Sequence, residues 1–335
     1  MSATMSSVIA SLILLTLAAG SARPPASTPH GYLVVANQKE HTALLVDPET
    51  RQEVAKFTVG VNGHEVTVSP DSRFAYVPIY GNSGVGKPGT DGSTIEVIDI
   101  RDRKAVSIID LGKPLRPHAA HFGPDGMLYV SAELANALDV IDPATRKVIA
   151  EIPTGAIESH MFVISPDGKR AYTANVAAGS VSVLDLTKRS LVTVIPVAKT
   201  VQRISISPDG KHVFTHDQDA PRIAVIDTAT NEVASWISIP ATVYSSWPTP
   251  DGHKLIASSP SGKLFVIDLA SSKVDASFDI PKATGEVLVR PDGKFAFVSC
   301  PQAGTIEIFD IAANKLLQPT TLTQGVDGLA WAASN

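Results

Sequence analysis

The stretch Ser165-Pro166-Asp167-Gly168-Lys169-Arg170-Ala171-Tyr172-Thr173-Ala174-Asn175, followed by Ser180-Val181-Ser182-Val183-Leu184-Asp185, decides the architecture of this chain. Proline presets φ at the second position of a turn and glycine accepts φ > 0 later in it, so Pro-Asp-Gly joins two strands tightly. Phe162-Val163-Ile164 lies upstream and Leu191-Val192-Thr193-Val194-Ile195 downstream, which makes four short β-rich runs in one unit. The same turn recurs at Pro70, Pro124, Pro166, Pro208, Pro250 and Pro291, with spacings of 54, 42, 42, 42 and 41 residues. An apolar pair followed by aspartate recurs at Asp47, Asp99, Asp142, Asp185, Asp227, Asp268 and Asp310. Seven aspartates mark seven repeats. An aspartate at a strand end bonds the turn backbone just beyond it, so both series are hairpin punctuation.

Four strands per repeat and seven repeats predict an all-β fold, a seven-bladed β-propeller with four antiparallel strands per blade. Gly31-Tyr32-Leu33-Val34-Val35 matches a second strand, and Gly328-Leu329-Ala330-Trp331-Ala332 matches an innermost one. The N- and C-terminal strands are therefore expected to pair in one blade and close the ring, which removes exposed sheet edges.

The repeat resembles those of the YVTN β-propeller family. The turn at Pro166, the strand tyrosine Tyr172 and the strand-end Asn175 match that family's pattern. Ala75-Tyr76-Val77 and Leu128-Tyr129-Val130 keep the tyrosine, whereas Ala296-Phe297-Val298 and Val213-Phe214-Thr215 carry phenylalanine. The resemblance covers about Gly31 to Trp331. It implies the fold; function it leaves open, since propellers host binding proteins, scaffolds and enzymes alike.

Residues 1–22 carry no charged side chain and hold the apolar run Val8 to Ala19, too short to span a bilayer. Gly20-Ser21-Ala22 fits the small-residue pattern before a peptidase cut. The expected organisation is a signal peptide over 1–22, a lead-in over 23–30 and the propeller over 31–335, giving an exported protein, periplasmic or secreted, without a membrane span and monomeric. Lys+Arg 28 against Asp+Glu 33 gives a net charge of −5, a poor match to nucleic acid, whose binders neutralise phosphates. Cys300 is the single cysteine, so no intrachain disulfide and no four-cysteine metal site can form. The absence of CxxCH argues against haem, and no haem cofactor is expected.

The first strand of each blade lines the axis. The residue six before each turn proline is His64, His118, His160, Gln202, Tyr244 or Gly285, with Asp327 at the matching place in the closing strand. Three consecutive blades thus offer histidine at one height, with Glu65, Glu158, Arg203 and Glu286 beside them. Converging neutral imidazoles suit Zn, Cu or Fe, and carboxylates can complete or orient the shell. His64, His118 and His160 are the expected ligands of a divalent or copper ion. Gln202, Arg203, Tyr244, Glu286 and Asp327 are expected to bind a small-molecule ligand, with Glu65 as catalytic base. The competing reading is a polar, solvated channel mouth. His121, three residues further down its strand than His118, points between blades and reads as packing, as do Trp236, Trp247 and Trp331. Cys300 reads as an inert buried thiol.

The first repeat is longer than the others by the loop Gly81 to Gly92, on the face that holds the histidines; it reads equally as a lid or as a tolerated surface insertion. Gly84-Val85-Gly86-Lys87-Pro88-Gly89 satisfies GxGxxG, but a strand and no helix follows, and Pro88 stands where a P-loop needs Ser or Thr. No nucleotide is expected. Two functions fit. One is a metal- or ligand-binding propeller, lactonase-like or copper-linked oxidoreductase if enzymatic. The other is a non-catalytic envelope scaffold or recognition module for protein or polysaccharide.

Overall fold

The turn carboxylates close each hairpin as the repeat predicts. Asp71, Asp167 and Asp209 accept the backbone N–H two residues on. Ser69, Ser165 and Ser207 donate to those carboxylates and accept the N–H five residues along. At the other end of the repeat, Asp47, Asp142, Asp185 and Asp227 take the N–H two residues on. Asp99, Asp268 and Asp310 take the one three residues on.

The computed structural model describes residues 31–334, so the expected signal peptide and lead-in lie outside the described residues. It arranges the hairpins as seven antiparallel sheets, six in chain order and one whose innermost strand is the last described. In one blade Ser159–Ile164, Arg170–Asn175, Ser180–Asp185 and Ser190–Pro196 pair in succession. Innermost strands of successive blades touch one another around the ring, while the fourth strands carry the exposed positions. Closure is as expected. Val326–Ala333 pairs with Gly31–Asn37 in the register Val34 to Ala330, so the first and last described strands share a blade. In the last blade the outer strand is broken into Lys315–Leu316 and Thr320–Thr321, both on Thr305–Asp310. Pro319 lies in the break, where it has no N–H to give to a ladder.

The core sits between blades rather than within one. Tyr172, Phe162 and Leu184 of one blade pack with Val201, Ile204 and Val213 of the next. Each such side chain, fully buried, contributes roughly 1.5–3 kcal/mol. The only helix among the described residues is a single 3-10 turn, Glu133–Ala135, and no helix there is long and apolar enough to cross a membrane.

Some innermost strands are shorter than the pattern suggests: Thr67–Val68, Ile204–Ile206 and Val287–Val289. The segments entering them leave the sheet. Asn62, Arg116, Glu158, Ala283 and Gly325 all have positive φ, and each lies two residues before a channel position. Left-handed backbone is sparsely populated by non-glycine residues and persists where the surroundings impose it. Here it turns the entering chain towards the axis.

Candidate metal centre at the channel mouth

His64 enters on the irregular segment before Thr67–Val68, His118 on Pro117–Phe122 and His160 on Ser159–Ile164. The three converge. His64 Nε2 lies 2.7 Å from His118 Nε2, and the His118 and His160 rings are 3.6 Å apart at their centroids. His64 Nδ1 lies 3.2 Å from the Asn62 carbonyl and 3.1 Å from its side-chain oxygen. Both are acceptors, so Nδ1 carries the proton and Nε2 presents a lone pair. Asn62 is itself held: its N–H donates to His41 Nδ1 and its amide to the Gly81 carbonyl. Gly328 lets the closing strand approach this segment. Its N–H donates to the His64 carbonyl at 2.8 Å, and a β-carbon there would lie 2.5 Å from that oxygen.

His118 is buried, and its Nδ1 has no hydrogen-bond partner. Burial, with His160 and His64 as neighbours, holds its pKa well below that of an ordinary imidazole, so it is neutral at pH 7. His64, Glu65 and His118 each offer a ligand atom, and those atoms lie within 4.8 Å of one another. A tetrahedral ion with metal–nitrogen bonds near 2.0–2.1 Å holds two imidazole nitrogens about 3.3 Å apart. The two rings need to part by only a fraction of an ångström to admit it.

His160 faces a different partner. Its Nδ1 is 2.8 Å from Glu133, a residue the inner-strand register did not single out. Tyr80 Oη donates to the same carboxylate at 2.8 Å and Arg116 Nη1 at 3.3 Å. Burial pushes the Glu133 carboxyl up, but donors from His160, Tyr80 and Arg116 outweigh it and hold the pKa below the usual range. Burial depresses His160 more than Glu133 raises it, leaving a neutral ring beside an ionised carboxylate. The ring's Nδ1–H therefore donates to Glu133, and its Nε2 lone pair faces Gln202 at 3.3 Å.

Arg116 also reaches the long loop. Its Nε pairs with Asp91 at 2.5 Å, and its Nη atoms donate to the carbonyls of Gly84 and Lys87. The insertion is thus fastened to the carboxylate that orients His160. Tyr80 lies near the end of the second strand Phe74–Gly81, and Glu133 just past the end of the second strand Leu128–Ala132. An acidic or aromatic residue at such a strand end, on the histidine face, was the available signal.

The remaining candidates form a second layer. Arg203 Nη2 pairs with Glu65 at 2.8 Å and lies 3.7 Å from Asp327, and its guanidinium stacks over Tyr244 at 5.0 Å. Asp327 is held at 3.1 Å by Gln38. Its pKa is pushed up to about 6 by burial and by Glu65, against the pull of Arg203. Burial and Glu65 also raise Glu286, well above the usual carboxylate range. Glu158 backs the loop instead, near Gly86. His121 packs edge-on against Phe162 at 4.9 Å, and His216 is buried on Ser246 at 2.7 Å. Cys300 is buried, and its thiol is pushed up to about 12 by burial. It does not ionise at neutral pH.

No protein-family model matches the sequence, and no curated protein does. The fold is similar to that of Kuenenia stuttgartiensis hydrazine synthase, at a TM-score of 0.70 and 19% identity over 90% of this chain and 98% of that one. It is also similar to the dihydro-heme d1 dehydrogenase NirN in complex with DHE, at 0.64 and 17% over 92% of this chain and 77% of that one. At such identities the likeness establishes a shared propeller architecture. It also corrects one expectation, the exclusion of haem. That exclusion rested on the missing CxxCH, which bears only on covalent attachment. NirN, a structure similar over nearly the whole chain, is by its name a haem d1 protein. A tetrapyrrole held without thioether bonds needs an axial ligand such as imidazole, which a cysteine motif does not report.

Proposed function

We propose that this chain is an exported, monomeric propeller that binds a transition-metal ion through His64, His118 and Glu65, and that the site serves oxidoreductase chemistry on a small molecule. The observation that carries the reading is the 2.7 Å approach of two imidazole Nε2 atoms, one with its tautomer fixed, the other buried with an orphaned Nδ1. Within such a site the ion supplies electron transfer or Lewis acidity. The protein's residues do the rest. Asn62 orients His64, and Arg203 holds Glu65 in place as an ion pair. That pairing ties up Glu65 as a base, so we assign proton transfer to His160 Nε2, with Glu133 accepting the hydrogen bond of the ring's Nδ1–H. Tyr80 and Arg116 keep Glu133 ionised, and the fastened loop covers the same side. Similarity to a protein named a dehydrogenase supports redox chemistry over lactone hydrolysis.

The test is a titration of untagged, chelator-treated protein with Zn(II) and Cu(II), followed by equilibrium dialysis and metal analysis. One ion per chain is expected for wild type, with affinity down at least about 100-fold in His118→Ala. Loss of 10–100-fold is the usual effect of removing an orienting partner, and removing a ligand exceeds it. Equal binding by wild type and His118→Ala contradicts the reading and favours a scaffold for protein or polysaccharide. A parallel titration with haem separates a bare ion from tetrapyrrole iron, since only the latter gives a saturable shift of the haem Soret band that is lost in His118→Ala.

A further inference from the structure

Below the layer of Glu65, Arg203 and Glu286 the channel holds a cavity of about 390 Å³ that reaches the turn prolines Pro208, Pro250 and Pro291. The metal reading makes no use of it. Its walls are largely apolar, with Met161, Trp247, Leu288, Leu329 and Trp331 among them, and Glu65 and Glu286 line its inner end. Glu65 is matched by Arg203 at 2.8 Å. Glu286 is not: one oxygen accepts the Leu329 N–H at 2.5 Å, and no Lys, Arg or His lies within 4.0 Å of it among the described residues. Arg203 acts on it at longer range. Asp327 adds a third buried acidic group to the same layer, so three acids share one guanidinium, and burial disfavours the charged form of Glu286 until a cation matches it. The other basic groups nearby do not make up the difference. His121, on the cavity wall, is held neutral by burial, and Arg290, over Trp331, is bound to Asp292.

We propose that this lower chamber binds a small organic cation, an alkyl- or quaternary ammonium, with its charge towards Glu286 and Trp247 and its hydrocarbon against Leu288 and Leu329. Tryptophan faces attract cations, and the attraction grows where water is excluded. The volume lies within the range of small-molecule pockets, roughly 300–1,000 Å³. A bare metal ion fits poorly there, because one free carboxylate among hydrocarbon walls cannot replace its hydration shell. The chamber and the histidine site share Glu65 but occupy opposite sides of the charged layer.

The experiment titrates chelator-treated, full-length protein with neopentylammonium and, separately, with neopentyl alcohol, its neutral counterpart, by calorimetry and tryptophan fluorescence. One saturable ammonium site per chain is expected, with the alcohol weaker by about tenfold or more. Glu286→Gln is expected to erase that preference, and Trp247→Leu to weaken the ammonium by about tenfold. Should Glu286→Gln fail to fold, the ammonium–alcohol comparison on wild type and the Trp247→Leu titration still decide. Equal affinity for the two compounds, no saturation by either, or unchanged ammonium binding in Trp247→Leu overturns the proposal. None of these outcomes depends on metal binding at His64 and His118.

Discussion

His118 is enclosed on all sides, yet its Nδ1 meets no partner and its Nε2 meets another imidazole nitrogen. A buried polar atom without a partner costs about 1–3 kcal/mol of desolvation. An ion that takes the Nε2 lone pairs of both rings replaces their mutual contact with two metal–nitrogen bonds, while Nδ1 stays unpaired. Added Zn(II) is therefore expected to raise the melting temperature of wild type, by about 2.7 kcal/mol of stability at a hundredfold excess over Kd, and to leave His118→Ala unmoved. Differential scanning fluorimetry checks this. Arg203 is the second decisive residue. Replacing it with methionine leaves the buried Glu65 carboxylate without its guanidinium, and breaking a buried ion pair from one side costs about 3–5 kcal/mol. Urea denaturation of Arg203→Met is expected to show a loss of that size; a loss below about 1 kcal/mol would show that Glu65 is well solvated. The sequence made these residues legible because their distance from the turn proline is constant around the ring. Glu133 and Tyr80 escaped because they come from the connection after one second strand and the end of another, away from the inner-strand register that picked out the histidines.

At the scale of elements, the hairpin carboxylates carry the same logic many times over. Hydrogen bonds from neighbouring hydroxyls and backbone N–H groups hold the pKa values of Asp71, Asp142, Asp167, Asp185, Asp209, Asp227, Asp251 and Asp268 below the usual carboxylate range, and the Arg290 guanidinium does the same for Asp292. A depressed folded-state pKa contributes stability that is present above the unfolded value, near 3.9, and is lost as pH falls through the folded one. Stability is expected to be level from pH 7 to about 5 with respect to these groups and to fall steeply below about pH 4. Thermal melts across that range test it, and Asp185→Asn should flatten the acid limb slightly. The long loop makes a second element-scale claim. Gly92 passes so close to Ile79 that a β-carbon would lie 1.7 Å from its carbonyl oxygen, and the Gly92 carbonyl accepts the N–H groups of Leu115 and Arg116. Gly92→Ala is expected to cost about 1–3 kcal/mol and to weaken the loop's hold on Arg116. Its position on the histidine face could be read from the repeat spacing. Its attachment could not, since Arg116 sits in another blade and the contact is a tertiary one.

The described residues form a ring whose first and last strands meet in one blade, around a channel divided by a buried charged layer. Deleting residues 326–335 removes an innermost strand and exposes a sheet edge. Such a chain is expected to lose its cooperative melt and to aggregate on gel filtration; an unchanged melt would mean that closure contributes little. Fold was legible at this scale because seven copies of one turn repeat the same instruction. What occupies the channel was not, because each blade contributes a single side chain and the meaning lies in their convergence. The central claim is that His64, His118 and Glu65 share an ion. Crystals of untagged protein loaded with one equivalent of Zn(II), measured on both sides of the zinc absorption edge, test it directly. The account predicts one anomalous peak about 2.0–2.2 Å from His64 Nε2, His118 Nε2 and a Glu65 oxygen. A peak elsewhere, or none, with the two Nε2 atoms still hydrogen-bonded to each other, would contradict it.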